Sequence, residues 1–431
     1  MPLSKYENEF LSNLISIPSV GGSPSAGCPY GAESRRALGF FLDEAKNQGF
    51  KTGIIDDKVG YVEFGKGKKM IGLVCHLDVV PAGSGWTTEP FKLTVKDDCF
   101  YGRGIIDDKG PACMSYFAMK ELKDNGFEPN CRIRLILGSD EERTCDCVET
   151  YALKGEIPDF AITPDAEYPV IFAEKGILHI KIHGNGNSNI EAKAGNAANM
   201  VPNEATLVYD GITVNGIGKT AHASRPELGI NAILDLISKA EETIISNSNI
   251  LSFIKKEVAG KSYIEYTGCQ IDDISGTITA NPAILTINDE TEELTIDIRY
   301  PISANKDDII GFFSQRAANY GLSVSEISHM APLYKDPDTK EINLLTDIWS
   351  NNIDLFDGFR EEYRNEYVLP LAIGGGTYAR HLPNTIAFGI QIPWMEDQCH
   401  QADEHISIND FEVNKKVLTE AIKALSALYS D

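Results

Sequence analysis

The spacing of hydrophobic and polar positions predicts a first region in which helices alternate with strands. Phe10, Leu14 and Ile15 recur at helical spacing and stop before Pro18, which predicts an amphipathic N-terminal helix. Further on, short apolar runs typical of buried strands alternate with helical patterns as far as residue 176. The predicted strands lie in "YVEFGKGKKMIGLVCH" (two strands joined by a Gly/Lys turn), "CRIRLILGS" and "DFAITPD", and the predicted helices in residues 36–48, "PACMSYFAMKELKDNG" and "CVETYALKG". This alternation predicts an α/β domain whose mostly parallel sheet has helices on both faces.

The pattern changes after residue 176. Apolar and polar residues mostly alternate in "ILHIKIHG", "GITVNGIGKTAH", "TITANPAILTIND" and "EELTIDIRYP", with helical spacing near 230–246 and 305–319. This pattern predicts an α+β domain with a largely antiparallel sheet. A Pro/Asp-rich segment at 331–340 closes it, and helix and strand patterns then resume. We therefore expect a main domain formed by residues 1–176 and 333–431, interrupted by an inserted domain of residues 177–332.

Composition narrows the possible partners and the compartment. Among 431 residues, 39 basic and 63 acidic side chains give a net charge of −24, which disfavours binding to nucleic acid or to an anionic membrane. No apolar run approaches the roughly 20 residues that a membrane-spanning helix needs, and no signal peptide is evident. Nine scattered cysteines are an odd number, which argues for free thiols in a reducing compartment. We expect a cytoplasmic protein.

Acidic and imidazole side chains follow the predicted strands of the first region. Ligands of open α/β sheets gather beyond the carboxyl ends of the strands, so these positions are candidates for a site. Each residue alone has an ordinary explanation, such as a helix cap, a solvated acidic run, a turn residue or a surface imidazole. Together, in a single pocket, they would repel one another strongly unless cations were bound. The candidates are His76, Asp78, Asp107, Asp108, Glu141, Glu142, Asp165 and, near the C-terminus, His400.

Imidazole and carboxylate ligands without paired thiolates are typical of catalytic zinc, manganese or cobalt sites. Two such ions about 3.5–4 Å apart could share one carboxylate and hold a hydroxide between them. A further carboxylate must then stay off the metal to take the proton from that water. Glu141 and Glu142 could divide these tasks, because neighbouring residues of an extended segment point in different directions.

The motifs "HLDVVPAGSGW", "YGRGIIDDKGP", "GSDEER", "TPDAEYP" and "HQADEHI", in this order, resemble those of the dinuclear-zinc metallopeptidases. That family includes glutamate carboxypeptidase, acetylornithine deacetylase, succinyl-diaminopimelate desuccinylase and the carnosinases. The branch that this chain resembles most is that of the bacterial PepV-type dipeptidases, and the resemblance covers nearly the whole chain. It implies an α/β catalytic domain with an inserted α+β lid.

The resemblance implies a role for each candidate of the main domain. His76 and Asp165 would hold one ion, Glu142 and His400 would hold the other, and Asp107 would bridge the two ions. The peptide bond between Asp107 and Asp108 would be cis. Glu141 would be the general base, and Asp78 would orient His76. The ions would be zinc, with manganese and cobalt as alternatives. One departure from the family pattern is Asp403, where the branch often has Asn. Three cysteines lie beside the candidate residues: Cys75, Cys145 and Cys399. We expect them to be small buried side chains; the alternative is that their oxidation disturbs metal binding.

The resemblance also assigns residues that bind the substrate. His222 in the inserted domain would stabilise the tetrahedral oxyanion beside Asn199, and Arg299 would hold the substrate's terminal carboxylate. "AIGGGTYARHLPN" matches the Gly-rich substrate loop of the family, which begins at Gly374 and includes Gly375, Gly376, Thr377 and Arg380. Taken alone, these signals are weaker, since a single histidine such as His222 is more often structural and Arg299 could be an ordinary arginine on the surface of a strand. The triple glycine lacks the ending of a phosphate-binding loop.

The implied activity is metal-dependent hydrolysis of dipeptides with a free N-terminus. In the family, Asp at the position of Asp165 is typical of dipeptidases and aminopeptidases, whereas Glu is typical of carboxypeptidases and deacylases. The alternatives are an N-acyl amino-acid deacylase and, more remotely, a non-catalytic relative that binds metal or peptide. No nucleic-acid or membrane partner is expected, and the long inserted domain favours a monomer over a dimer formed through the lid.

Overall fold

The structure, a computed structural model, describes residues 3–187 and 189–430. Its helices are α1 (Lys5–Ile15), α2 (Ala32–Asn47), α3 (Lys109–Asp124), α4 (Asp146–Lys154), α5 (Ala232–Lys239), α6 (Glu242–Ile245), α7 (Asn249–Phe253), α8 (Tyr263–Thr267), α9 (Lys306–Ala318), α10 (Lys340–Asn352), α11 (Tyr363–Glu366) and α12 (Ile408–Leu428). Its strands are β1 (Lys51–Ile55), β2 (Val59–Gly65), β3 (Met70–His76), β4 (Thr94–Lys96), β5 (Cys99–Tyr101), β6 (Arg132–Gly138), β7 (Phe160–Thr163), β8 (Ala166–Glu167), β9 (Ile171–Glu174), β10 (Gly176–Asn185), β11 (Ile190–Ala194), β12 (Glu204–Tyr209), β13 (Ile212–Ile217), β14 (Asp272–Asp273), β15 (Gly276–Thr277), β16 (Thr279–Ile287), β17 (Thr291–Tyr300), β18 (Ser323–Met330), β19 (Leu333–Tyr334), β20 (Leu371–Ile373), β21 (Thr385–Ala387), β22 (Ile390–Gln391) and β23 (His405–Ser407).

The chain divides into two compact units. The first comprises the residues up to Phe172 together with Lys335–Leu371 and the chain from Thr377 onward. The second comprises Ala173–Tyr334 and Ala372–Gly376. Residues 372–376 lie in the range predicted for the main domain, whereas their backbone bonds within the second unit, where Ile373 accepts a hydrogen bond from the amide of Lys175 at 2.9 Å. The names catalytic domain and lid assign functions, and they stay predictions.

A parallel core of four strands positions the candidate residues of the first unit. Six neighbouring strands of its sheet run in the order β1-β2-β6-β3-β7-β21, in which β6, β3, β7 and β21 are mutually parallel and β1 and β2 are antiparallel at one edge. Apolar residues fill both faces, and every residue of β3 and β7 is buried. The register pairs His76 with Gly138, so β3 and β6 end side by side at their carboxyl ends. This arrangement confirms the predicted α/β class.

The two strands predicted on either side of the Gly/Lys turn are β2 and β3, and that turn connects them. They do not pair with each other, because β6 lies between them and pairs with both. The parallel β3–β6 pair is mostly apolar, and β6 carries "RIRLILG" with all but its first residue buried. A strand that is buried on both faces belongs in the interior of a sheet, so β6 separates the two strands that a tight turn connects.

Helical packing also follows the sequence pattern. Phe10, Leu14 and Ile15 of α1 are all buried, as predicted. The ring of Phe10 lies 5.0 Å from that of Phe41 in α2 and 5.6 Å from that of Phe117 in α3. These aromatic contacts join three helices of the first unit on one apolar cluster.

The second unit has a seven-stranded sheet in the order β13-β12-β11-β16-β17-β10-β18. All of its neighbouring pairs are antiparallel, which confirms the predicted sheet type. Helices α5 to α9 supply apolar residues to a separate core, which includes Ile233, Leu236, Phe253 and Phe313. Within the part of the chain that the structure describes, no helix is long and apolar enough to cross a membrane.

Candidate metal centre

His76 is the last residue of β3, and its side chain is fully buried. Its Nδ1 lies 3.0 Å from the backbone oxygen of Asp78, and the carboxylate of Asp78 is farther away at 3.5 Å. The two oxygens of that carboxylate instead accept the backbone N–H groups of Glu141 and Glu142, each at 3.1 Å. The predicted orientation of His76 is therefore supplied mainly by a backbone oxygen, whereas the Asp78 carboxylate holds the acidic turn.

Asp107 lies between the two histidines. Its Oδ1 is 2.9 Å from His76 Nε2, and its Oδ2 is 3.0 Å from His400 Nε2. Each oxygen thus faces a different imidazole, which is the arrangement that a bridging carboxylate requires. The bond between Asp107 and Asp108 is cis, as the resemblance implies. Asp107 lies between the end of β5 and the start of α3.

Three adjacent acids follow β6, and they have separate surroundings. Glu142 lies 3.2 Å from His400 through its Oε2, and Glu141 lies 4.0 Å from His76 Nε2. Asp140 is turned away, and its carboxylate accepts a hydrogen bond from the hydroxyl of Thr144. The backbone oxygen of Asp140 also accepts the amide of Cys145 at 2.8 Å. Asp140 therefore closes the turn, and its two neighbours face the histidines.

Asp165 follows β7 and completes the cluster. Its Oδ2 lies 3.6 Å from His76 Nε2, on the same imidazole edge as Asp107. Asp108 had no predicted role of its own, and its fully buried carboxylate accepts a hydrogen bond from the amide of His76 at 2.7 Å. The role of Asp108 was not predictable, because a sequence pattern does not show which of two adjacent acids faces the site.

The residues present fit divalent cations. Among the described residues, two groups offer ligand atoms that lie within 4.8 Å of one another, namely His76, Asp107 and Glu142, and His76, Asp108 and Asp165. Glu142 Oε1 and Asp108 Oδ1 are buried and have no hydrogen-bond partner in the described part of the chain. Buried acceptors of this kind are costly unless a donor or a cation meets them.

The pKa shifts of the residues in this pocket also favour bound cations. Burial, together with the charges of Asp165 and Asp107, raises the pKa of Glu141 well above its usual range, although the nearby imidazole of His76 opposes the shift. Burial and repulsion from Asp107 raise the pKa of Asp165 to about 7. Hydrogen bonds to Asp107 and Glu142 raise the pKa of His400 to about 11. In this pocket, protons on the imidazoles and on some carboxylates offset the negative charge, a task that bound cations perform equally well.

The cysteines beside this cluster are poor candidates for redox chemistry. Burial raises the pKa of the Cys75, Cys145 and Cys399 thiols. Since the thiolate is the reactive form, this environment favours the alternative in which they are packing residues.

The predicted residues of the second unit form two local groups. The amide of Ala223 donates to the backbone oxygen of Asn199 at 2.8 Å, so Asn199 and His222 lie on adjoining backbone segments. His222 Nδ1 accepts the amide of Ser224 at 3.2 Å and contacts its hydroxyl at 2.7 Å. Both contacts hold one imidazole nitrogen of His222 within its own turn.

Arg299 is buried and already paired. Its Nε and Nη2 donate to the two carboxylate oxygens of Asp297 at 2.6 and 2.8 Å, and its Nη1 donates to the Gly374 carbonyl at 3.0 Å. Asp297 also accepts from His179 at 2.9 Å. The guanidinium has five N–H donors, so two are not used in these contacts. Arg299 thus has an internal carboxylate partner that the sequence analysis did not foresee.

From Thr377 onward, the Gly-rich loop belongs to the first unit. Thr377 caps a short 3₁₀ turn, Tyr378–Arg380, by accepting the amide of Ala379 at 3.2 Å. Tyr378 was not predicted to matter, yet its ring packs edge-on against that of His76 with centroids 5.8 Å apart. Gly375 and Gly376 fall in the second unit.

Comparisons with known proteins agree with this picture. Residues 72–424 match the sequence profile of peptidase family M20/M25/M40. A candidate dipeptidase of Staphylococcus aureus (strain USA300) is 30% identical over 471 aligned positions, which cover 98% of each chain. Human carnosine dipeptidase 1 shares the fold with a TM-score of 0.60, at 14% identity over 98% of this chain and 97% of that one. An aminoacylhistidine dipeptidase from Vibrio alginolyticus gives a TM-score of 0.61, at 13% identity over 98% and 97%.

Proposed function

The chain belongs to peptidase family M20/M25/M40, and on that premise we propose that it hydrolyses dipeptides that have a free N-terminus. It is a metallopeptidase of a family that depends on two metal ions. The observation that carries the proposal is the position of Asp107, whose two carboxylate oxygens each face one histidine.

We propose that His76 and Asp165 hold one ion, that Glu142 and His400 hold the other, and that Asp107 lies between them. Bound divalent ions supply Lewis acidity toward a peptide carbonyl and make water more acidic. Zinc is the first candidate, with manganese and cobalt as alternatives, because imidazole and carboxylate ligands accept all three.

Glu141 acts as the general base. Its carboxylate is 4.0 Å from His76 Nε2 and is not one of the ligands proposed above, so it would accept a proton from the attacking water. It then transfers that proton to the leaving amine. Its burial favours both steps, because a carboxylate with a raised pKa is better matched to proton transfer near neutral pH.

The second unit contributes the substrate contacts. His222 would donate a hydrogen bond to the oxyanion beside Asn199, and Arg299 would hold the terminal carboxylate with the two N–H groups that Asp297 and Gly374 leave available. Gly375, Gly376, Thr377 and Arg380 would line the substrate.

The relatives' names support the substrate class. The candidate dipeptidase of Staphylococcus aureus and both structures cited above are named as dipeptidases. The aspartate at position 165 also favours a dipeptidase over an N-acyl amino-acid deacylase in the family that the motifs resemble.

A paired assay tests the proposal. Zinc-loaded protein is offered a panel of unblocked dipeptides and a matched panel of N-acetyl and N-succinyl amino acids. We expect turnover of the dipeptides and a 10²–10⁴-fold loss of kcat in Glu141→Gln, the range that general acid–base catalysis contributes, at unchanged metal content. Turnover of the acylated panel alone would refute the dipeptidase assignment, and full activity of Glu141→Gln would refute the proposed base.

A further inference from the structure

We propose that Glu404 is a positioning residue that fixes the Asp107 turn to the His400 loop, so that both ligands are in place before a metal ion binds. This inference rests on the proposed function, in which Asp107 and His400 hold metal. No role follows for Glu404 from the sequence patterns, in which it is one acid of "HQADEHI".

The Glu404 carboxylate is surrounded by backbone amides of the turn that leads to Asp107. Its Oε1 accepts the N–H groups of Ile106 at 2.8 Å and of Asp107 at 3.2 Å, and Gly104 donates to Oε2 at 3.0 Å. One of these donors is the backbone of the bridging ligand itself. A carboxylate that accepts several amides fixes the path of the backbone, because each bond has a preferred direction.

Arg103 extends this link to the other ligand. Its Nη1 donates to Glu404 Oε2 at 2.7 Å, and its Nη2 lies 3.4 Å from the backbone oxygen of His400 and 3.3 Å from that of Ala82. Glu404 and Arg103 are 0% and 1% exposed, so water does not replace these bonds. The ion pair therefore ties the start of α3 to the loop that carries His400.

Secondary structure brings the two segments together. β5 ends at Tyr101, β23 begins at His405, and these two residues are paired. Glu404 and the Gly102–Asp107 turn thus extend from neighbouring ends of one antiparallel pair, and the amide of Gly102 donates to the backbone oxygen of Glu404 at 3.1 Å. The Glu404 side chain is directed into the turn from there.

A glutamine at this position could not replace the glutamate. All partners of the carboxylate are donors, on both of its oxygens. An amide has one oxygen and one NH₂ group, so Glu404→Gln would set a donor against either Arg103 or the backbone amides of the turn.

The same unit contains a matched control. Glu63 and Arg134 also form a buried ion pair, with Arg134 Nε donating to Glu63 at 2.7 Å and exposures of 4% each. Glu63 lies on β2 and Arg134 on β6, and neither contacts a candidate ligand. Glu63→Gln therefore breaks a comparable pair without touching the metal centre.

The test measures metal binding to the metal-free full chain by calorimetric titration with Zn²⁺. We expect Glu404→Gln to bind one of the two ions about 10–100-fold more weakly, the usual effect of removing a group that orients a ligand. Glu63→Gln should bind both ions as the wild type does, even though it is destabilised. The visible spectrum of the Co²⁺-loaded protein should change in Glu404→Gln and not in Glu63→Gln.

Two further variants distinguish a failure of the positioning role of Glu404 from a failure of the proposed metal site. If Asp107→Asn and His400→Ala lose an ion while Glu404→Gln binds both normally, the positioning role is refuted and the metal site stands. Equal weakening by Glu63→Gln also refutes the role, because general stability would then explain the loss. If Asp107→Asn and His400→Ala bind both ions normally, the proposed function fails, and this inference fails with it.

Hydrogen exchange on the wild-type chain tests the proposal without any substitution. If Glu404 holds the turn, the amides of Ile106 and Asp107 should exchange as slowly in the metal-free protein as in the Zn²⁺-loaded protein. Fast exchange of both amides after metal removal would mean that the ion orders the turn, which refutes positioning by Glu404 even if Glu404→Gln fails to fold.

Discussion

The acidic turn after β6 shows how single residues with identical charge take different roles. Asp140 bonds to Thr144, whereas Glu142 faces His400 and Glu141 remains near His76 without joining either ligand group in the described residues. Asp78 makes this separation possible, since its carboxylate fixes the amides of Glu141 and Glu142. One buried acid thereby positions two others.

Replacement of Asp78 should therefore impair catalysis out of proportion to its effect on stability. In Asp78→Asn, one amide–carboxylate bond is lost and an NH₂ group faces a backbone N–H. We expect kcat/KM to fall about 10–100-fold. Asp140→Asn is the control, because it alters a neighbouring buried acid that bonds to Thr144. Steady-state kinetics and thermal melts on both variants check this, and equal losses in the two would contradict it.

Arg299 allows a prediction about recognition of the substrate. Arg299→Lys keeps the charge beside Asp297 but loses the planar fork, so a terminal carboxylate would be held less well. We expect KM for a dipeptide to rise about 10-fold or more, as for a lost charged hydrogen bond, with a smaller change in kcat. The measurement compares a dipeptide with its C-terminal amide. Wild type should prefer the acid, and Arg299→Lys should lose that preference; an unchanged preference would show that Arg299 does not bind the carboxylate.

At the scale of elements, the convergence of β3, β6 and β7 was predictable from the sequence. Each of these runs is mostly apolar and either ends in an imidazole or is soon followed by an acid, and parallel strands end on one edge of a sheet. The order of the strands was not predictable, because the position of β6 between β2 and β3 depends on pairing across distant segments. The amides around Glu404 could not be predicted either, since backbone donors are present at every residue and only the fold shows which ones meet a side chain.

The start of α3 depends on a close approach between two backbone segments. A Cβ on Gly110 would lie 1.9 Å from the backbone oxygen of Ile105, while Gly110 itself donates to Gly104 at 2.8 Å. A methyl group there must displace the turn that carries Asp107. We expect Gly110→Ala to destabilise the protein by about 1–3 kcal/mol and to weaken metal binding.

Gly311 provides the control for that prediction. It lies within α9, is exposed, and a Cβ there would meet no atom within 4 Å in the described structure. Gly311→Ala should stabilise the protein by about 0.5–1 kcal/mol, because alanine has the higher helix propensity. Urea denaturation and Zn²⁺ titration of the two variants check the pair, and a stable, metal-binding Gly110→Ala would contradict the role of the close approach.

At the scale of the whole molecule, negative charge and the metal centre are linked. The chain carries a net charge of −24, and the first unit concentrates six carboxylates around two imidazoles, at Asp78, Asp107, Asp108, Glu141, Glu142 and Asp165. The second unit has its own apolar core. The candidate ligands of the described chain all belong to the first unit, so metal should stabilise the two units unequally.

Metal removal therefore should lower the stability of the first unit selectively. A ligand that binds only the folded state stabilises it by about 2.7 kcal/mol per site at a concentration 100 times its Kd. Differential scanning calorimetry of the Zn²⁺-loaded and chelator-treated protein should show one transition that moves to lower temperature and one that stays. Hydrogen exchange assigns them, since amides of β3 and β6 should lose protection after chelation while those of β10 and β17 should not. Equal shifts in both sets would mean that the two units unfold as one cooperative body, with the metal centre stabilising the entire chain.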